Sequence, residues 1–159
     1  MTIENTQQAP MKTLPQPATL ITFAILALAT TALAHNGVKN AAVMARMNGM
    51  SAIATNLKTI GQMAKGKTQF NATTAKSAAN AIAAHAADSS DLFRARETDP
   101  KSEAKDLIWQ NYADFESKAR DLETAALNAA RSIEAKSDLA PALTAIATTC
   151  KACHSLYRE

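Results

Sequence analysis

The sequence predicts an all-α protein, folded as an antiparallel, up-down-up-down four-helix bundle. The chain of 159 residues is 47% hydrophobic but only 4% aromatic, and it is rich in alanine and poor in glycine. This composition is typical of helices that pack through small side chains. Apolar residues recur every three or four positions in four stretches, whereas the alternation typical of a strand is not seen. Four helices with short connections make one bundle domain.

The first 34 residues are interpreted as a signal peptide that is removed on export to the periplasm. An apolar run, Leu20–Leu33, follows a basic residue, and Ala32-Leu33-Ala34 has the small residues of a cleavage site. The run is short for a membrane span, which disfavours the alternative of a retained anchor and stable membrane insertion. Residues 35–159 form the predicted bundle. Whether translation starts at Met1 or Met11 stays open.

The first two helices are predicted from apolar stripes at helical spacing. The first extends from about Val38 to Lys65, and Gly66 is a suitable left-handed terminator. Asn71 is an N-cap for the second helix, which continues to about Phe93. Its stripe consists largely of alanine, which lets a neighbouring helix approach closely but buries little apolar area.

The third and fourth helices carry the strongest patterns. Asp99 is the expected cap of the third helix, with Pro100 in its first position, and the apolar stripe continues to Ile133. Ser137 or Asp138 caps the fourth helix, and its proline falls in the first turn, where proline is tolerated. The stripe of this last helix includes both cysteines of the chain, so any cofactor bound by them is expected inside the bundle.

The segment Cys150-Lys151-Ala152-Cys153-His154 carries the chemistry. In a helix these two thiols and the imidazole share one face, and a Cys-x-x-Cys-His sequence attaches haem through two thioethers with the histidine as axial iron ligand. A thioredoxin-like pair would need a preceding strand. A structural zinc site would need four ligands, and only His35 and His85 remain as histidines. A disulfide within one helical turn would constrain little.

The residues match a known family at this point. Residues 38–158 resemble the class II c-type cytochromes, that is, cytochrome c′ and its low-spin relatives. The C-terminal position of the haem motif, followed by Tyr157-Arg158, is the most specific part of the resemblance. The further matches are Arg46-x-x-x-Met50, Asn56–Gly61, Lys65-Gly66 with Phe70, Leu92-Phe93, and Ile108-Trp109 with Phe115.

The resemblance implies roles for individual residues. It implies one covalent haem c, with Cys150 and Cys153 as thioether anchors and His154 as the proximal iron ligand. Arg46 would contact a haem propionate, and Met50 and Trp109 would lie in the distal pocket. Arg158, one turn beyond the histidine, would raise the haem potential or lower the pKa of the imidazole. A homodimer through the first two helices is also implied.

The chain departs from the family at one point and leaves one histidine without a role. Many relatives have a turn with proline and glycine after the Leu-Phe pair, whereas this chain has Arg94-Ala95-Arg96-Glu97. The shape of that connection is therefore open. His85 is interpreted as a partly buried structural histidine.

Two functions stay open, and they differ in the sixth iron ligand. If Met50 binds iron, the protein is an electron carrier that serves redox partner proteins; if the iron is five-coordinate, NO or CO can bind. Met44, Met47 and Met63 share the first helix with Met50, so composition does not nominate the ligand. An enzyme is disfavoured because this helix offers no acid or base on its apolar stripe. The net charge of +3 without a basic cluster disfavours nucleic acid.

Overall fold

The computed structural model describes residues 37–159, and this part of the chain forms the predicted all-α bundle. The helices are α1 (Ala41–Ala64), α2 (Ala72–Leu92), the four-residue α3 (Leu107–Gln110), α4 (Tyr112–Ser132) and α5 (Leu139–Tyr157). A short 3₁₀ turn, Lys136–Asp138, precedes α5. The signal-peptide interpretation and His35 lie outside the described residues.

Helix ends agree with the sequence where a side chain or a glycine determines them. Asn71 caps α2 as predicted, because its side-chain oxygen accepts a hydrogen bond from the backbone N–H three residues later, at 2.8 Å. Asn40 caps α1 in the same way, so α1 begins at Ala41 rather than at the predicted Val38. Gly66 takes the predicted left-handed conformation, with φ 68°.

The predicted start of the third helix is wrong. Asp99 and Pro100 lie in an irregular segment, residues 93–106, which we name the α2–α3 connection. The Asp99 carboxylate accepts hydrogen bonds from the backbone N–H groups of Lys39 (2.8 Å) and Asn40 (3.1 Å), so it holds the chain before α1 instead of capping a helix. A further break at Asn111, with φ −132° and ψ 52°, separates α3 from α4.

The start of α5 also differs in detail from the prediction. The carboxylate of Asp138 accepts hydrogen bonds from the N–H groups of Glu134 (2.9 Å) and Ala135 (2.8 Å). It therefore closes the turn before α5 and makes no side-chain cap with the helix itself. Pro141 lies in the first turn of α5, as predicted.

Most of the bundle is held together by a core that combines alanine with a few branched side chains, here called the alanine-rich core. The alanines let α2 approach its neighbours closely, whereas the isoleucines supply most of the buried area, each contributing about 1.5–3 kcal/mol. Its buried members are Ile53, Ile60, Met63, Ala75, Ala78, Ala79, Ile82, Ala83, Ala126, Ala129, Ala130, Ile133, Leu139, Ala142 and Ile146.

A second, smaller cluster at one end of the bundle, the aromatic core, consists of Phe93, Ile108, Phe115 and Tyr157. The ring of Phe115 lies 5.0 Å from that of Phe93 and meets the ring of Tyr157 edge-on at 5.5 Å. Such tilted and edge-on pairs are the preferred aromatic geometry. The aromatic core joins the α2–α3 connection to α3, α4 and the end of α5.

The helices do not pack equally along the bundle. Helix α2 packs against both α1 and α4, and α4 also packs against α5. Helices α1 and α5 pack against each other less extensively than any of these pairs. Within residues 37–159, no helix is both long and apolar enough to cross a membrane.

Candidate cofactor site

The Cys-x-x-Cys-His segment lies within the last two turns of α5, as its spacing predicts. Cys150 and Cys153 form no disulfide with each other, and both are half-buried. Cys150 packs against the alanine-rich core, whereas Cys153 packs against the aromatic core. The two sulfur atoms therefore lie on the inward side of α5, where the two cores meet.

The protonation of these groups follows from their surroundings. Burial raises the pKa of Cys150, and it raises the pKa of Cys153 to about 11, so both thiols are protonated at neutral pH. The pKa of His154 is lowered, first because the protein removes solvent from the ring and second because Arg158 is positively charged, with Glu103 opposing. The positive charge of Arg158 thus lowers the pKa of His154, which is one of the two effects expected from the sequence. A neutral imidazole is the form that binds metals.

Arg158 is held in place by Glu103. Its Nε lies 2.6 Å from the Glu103 carboxylate and its Nη2 lies 2.5 Å from the same oxygen. The two chain segments also pair as backbone, since Ala104 and Arg158 form an isolated antiparallel bridge and the Lys105 N–H donates to the carbonyl of Tyr157 at 3.0 Å. The C-terminal end of α5 is thus fixed to the α2–α3 connection.

Met50 reaches the same place from α1. Its half-buried side chain packs against the alanine-rich core and also against the aromatic core. The other methionines of α1 differ: Met44 and Met47 pack against neither core, and Met63 is a buried member of the alanine-rich core. Of the four methionines on α1, Met50 alone shares both surroundings of the two cysteines.

Arg46 and Trp109 lie beside this region and contact the α2–α3 connection. Arg46 is only 3% exposed, and its guanidinium donates hydrogen bonds to the backbone carbonyls of Leu92 (2.9 Å), Glu97 (2.8 Å) and Ala95 (2.5 Å). Burial lowers the pKa of Arg46, and Glu97 partly offsets this. Three of the five guanidinium N–H groups are thus engaged by carbonyls. The propionate contact expected for Arg46 stays a prediction.

The Trp109 side chain is half-buried in the aromatic core. Its indole N–H donates to the carbonyl of Phe93 at 2.8 Å. Its place in the distal pocket stays a prediction as well. The structure adds a role that the sequence did not suggest, since Trp109 fixes the first residue of the α2–α3 connection.

The sequence did not nominate Asp114, which lies close to the motif. The Tyr157 hydroxyl donates to the Asp114 carboxylate at 2.6 Å, and Lys118 lies 3.6 Å from the other oxygen of that carboxylate. Asp114 and Lys118 are four apart on α4, a spacing that the sequence shows. No sequence pattern connects Asp114 with Tyr157, because the two residues belong to different helices.

His85 lies on α2, partly buried as expected, and its backbone carbonyl accepts a hydrogen bond from the Ser89 hydroxyl at 2.9 Å. Among residues 37–159, no three His, Cys, Asp or Glu side chains are grouped so that they could bind a metal ion.

These residues fit a covalently bound haem. Two thiols one helical turn apart face the inside of the bundle, an imidazole follows them, and a thioether from α1 borders the same two cores. Helices α1 and α5, which carry these groups, pack against each other less extensively than the other neighbouring pairs of long helices. An antiparallel helical bundle with this motif at its C-terminal end defines a class II c-type cytochrome.

Comparison with known proteins identifies the family. The family described as Cytochrome C′ matches residues 41–158. Cytochrome c-556 of Agrobacterium tumefaciens (strain B2A) is 30% identical over 110 residues, which cover 69% of this chain and 89% of the relative. The chain therefore belongs to the cytochrome c′ family and is a haem protein with one covalent haem c.

Solved structures agree with this assignment. Cytochrome c prime from Shewanella frigidimarina has 30% sequence identity and a TM-score of 0.65, and the match covers 74% of this chain and 94% of that one. Cytochrome c′ from Rhodopseudomonas palustris has the same fold, with 24% identity, a TM-score of 0.70, and coverage of 76% and 98%. The four-helix bundle is common to these proteins.

The hydrogen bond between Tyr157 and Asp114 predicts a pH dependence of stability. Burial, and then the Asp114 carboxylate, raise the pKa of Tyr157 to about 12. Since this lies above the ordinary tyrosine value of about 10, the contribution to stability is complete below about pH 10 and is lost as the pH approaches 12. We expect Tyr157→Phe to lower the free energy of unfolding by about 1 kcal/mol at neutral pH and to remove this alkaline loss.

Urea unfolding of the holoprotein at several pH values measures both effects. Asp114→Asn is the matched variant, because it keeps a hydrogen-bond acceptor but removes the charge, and the alkaline loss should then be smaller and be complete at a lower pH. An unchanged alkaline profile in Tyr157→Phe would contradict the assignment.

Proposed function

We propose that this chain is a periplasmic electron-transfer cytochrome with Met50 as the sixth ligand of a haem iron that His154 binds from the other side. The observation that carries the proposal is the position of Met50, whose side chain borders the same two cores as Cys153 and Cys150. Bound haem supplies an iron that changes between the ferrous and ferric states, and a thioether ligand favours the ferrous state.

Cys150 and Cys153 are the proposed thioether anchors. Both thiols lie on α5, so the helix fixes their separation before attachment. Their half-buried positions favour an apolar group over bulk water. His154 follows at the exposed end of the same helix, and its lowered pKa keeps the imidazole neutral and able to bind iron.

The surroundings of Met50 support electron transfer over catalysis. Helix α1 contains no Asp, Glu or His from Ala41 to Ala64, so it provides no acid or base beside Met50. Ile53 and Leu57, on the following turns, belong to or pack against the alanine-rich core. An apolar environment suits a soft thioether ligand and offers little stabilisation to a polar reaction intermediate.

The alternative is a five-coordinate cytochrome c′ that binds NO or CO. In that case Met50 would only shield the distal side, because the same apolar packing against both cores would hold it there without an iron bond. Membership of the cytochrome c′ family supports this reading as much as the first. The two functions differ in the iron ligand and can be separated spectroscopically.

We also propose that residues 1–34 are the export signal, which fits a haem c protein of the periplasm. Redox partner proteins are the proposed physiological partners.

A homodimer through α1 and α2 is supported by the exposed alanines on these helices, Ala41, Ala54, Ala84 and Ala87. Residues 37–87 carry no acidic group, so like charges would make such a dimer weaker at low salt.

Attachment can be tested by proteolysis of the denatured holoprotein and mass spectrometry. We expect the haem to remain on the peptide that contains both Cys150 and Cys153. In Cys150→Ser one thioether should remain, and in the double variant Cys150→Ser/Cys153→Ser the covalent haem should be lost. A haem-bearing peptide from elsewhere in the chain would contradict the proposed anchors.

Optical spectra of the purified ferric and ferrous protein test the role of Met50. We expect a low-spin, six-coordinate spectrum in the wild type and a high-spin spectrum in Met50→Ala, because alanine cannot bind iron. Met44→Ala is the matched control, since Met44 lies on the same helix but borders neither core, and it should leave the spectrum unchanged. A high-spin wild type that binds NO or CO readily would support the gas-binding alternative instead.

A further inference from the structure

The α2–α3 connection is tied to α1 by side chains. It is charged and mostly exposed between Arg94 and Thr98. Such a segment would be expected to move freely if it were held only by its own backbone. Two of its backbone carbonyls, however, accept hydrogen bonds from a single buried side chain of another helix.

That side chain is Arg46. It donates Nε–H to the carbonyl of Leu92, Nη2–H to that of Ala95 and Nη1–H to that of Glu97. These acceptors cover the last residue of α2 and the first part of the connection. Because a buried guanidinium is costly without partners, the three carbonyls satisfy Arg46 while Arg46 fixes the path of this backbone.

Two aromatic rings complete the contact. The guanidinium carbon lies 4.9 Å from the centre of the Phe93 ring and 5.3 Å from that of Trp109. At these distances a cation and a ring attract each other. Trp109 also donates its indole N–H to the carbonyl of Phe93, so α1 and α3 hold the start of the connection together.

The middle of the connection is tied to the start of α1 independently. Asp99 accepts from the N–H groups of Lys39 and Asn40, and the side-chain amide of Asn40 donates to Glu97 at 2.9 Å. The first half of the connection, as far as Asp99, is therefore held by residues in and just before α1.

We infer that Arg46 is a positioning residue. It fixes residues 92–97 against α1 and thereby holds the side chains that pack beside Met50, which we call the wall of the Met50 site. Met50 lies one turn after Arg46 on α1, and both Leu92 and Trp109 pack in the aromatic core that Met50 also contacts. If the connection loosens, this wall loosens with it. The effect on iron ligation by Met50 rests on the proposed function. The contact between Arg46 and the connection does not depend on it.

Replacing Arg46 by lysine distinguishes the positioning role from a charge contact between Arg46 and a haem propionate. Lysine keeps the positive charge, but it cannot donate to three carbonyls from a planar group or stack between two rings. A role based on charge alone would therefore survive Arg46→Lys. A role based on positioning would be lost in both Arg46→Lys and Arg46→Met.

Hydrogen exchange of the holoprotein, followed by mass spectrometry, measures directly how firmly Arg46 fixes the backbone of the connection. We expect exchange of the hydrogen-bonded amides of Phe93, Arg94 and Glu97 to accelerate on the order of tenfold or more in Arg46→Lys and in Arg46→Met, because the backbone that carries them loses its fixed partner. Arg94→Lys is the matched control, since Arg94 lies in the same segment with an exposed side chain paired to Asp91, and it should not change exchange. Where Arg46→Met does not fold, Arg46→Lys decides.

The ferric spectrum is the second readout. We expect a larger high-spin fraction in Arg46→Lys than in the wild type and no change in Arg94→Lys. If amide exchange in Arg46→Lys is as slow as in the wild type, the inference is wrong, and a charge contact to a propionate becomes the role of Arg46. If the wild type is itself high-spin, Met50 ligation fails, but the exchange comparison still decides the role of Arg46.

Discussion

If the haem is attached at Cys150 and Cys153, as we propose, then a rigid, flat group held at two points one helical turn apart is the main constraint on this bundle. Helix α5, which carries both cysteines, packs extensively against α4 but less extensively against α1. Each cysteine packs against a different core. Alanines and isoleucines close the bundle beyond Cys150, and an aromatic cluster closes it beyond Cys153. The site is thus the boundary between two cores.

Buried polar groups are few, and they serve the same region. Within the described residues only Arg46, Ser89 and Asp99 are buried among polar and charged residues, and no buried side-chain nitrogen or oxygen lacks a hydrogen-bond partner there. Two of these, Arg46 and Asp99, fix the first half of the α2–α3 connection to α1 and to the residues just before it. Since burying a charge is costly, their position suggests that the shape of this connection matters to the site.

Local features of the sequence predicted the local features of the fold. Periodicity predicted the long helices, Asn71 and Gly66 marked their ends, and the motif placed both cysteines on the inward stripe of α5. The failures involve partners far apart in the chain. Asp99 was expected to cap the next helix, but its carboxylate binds backbone N–H groups before α1. Neither the carbonyl partners of Arg46 nor the pairing of Tyr157 with Asp114 leaves a periodic trace in the sequence.

The central claim is that Met50, and no other methionine of α1, meets the haem. Proton NMR of the ferrous holoprotein with labelled methionine methyl groups tests it most directly, because a methyl group held against the face of a macrocycle is shifted strongly upfield by the ring current. The account predicts one such methyl resonance, lost in Met50→Leu, with those of Met44, Met47 and Met63 in the ordinary range. Ordinary positions for all of them, or an upfield methyl from another methionine, would contradict the account.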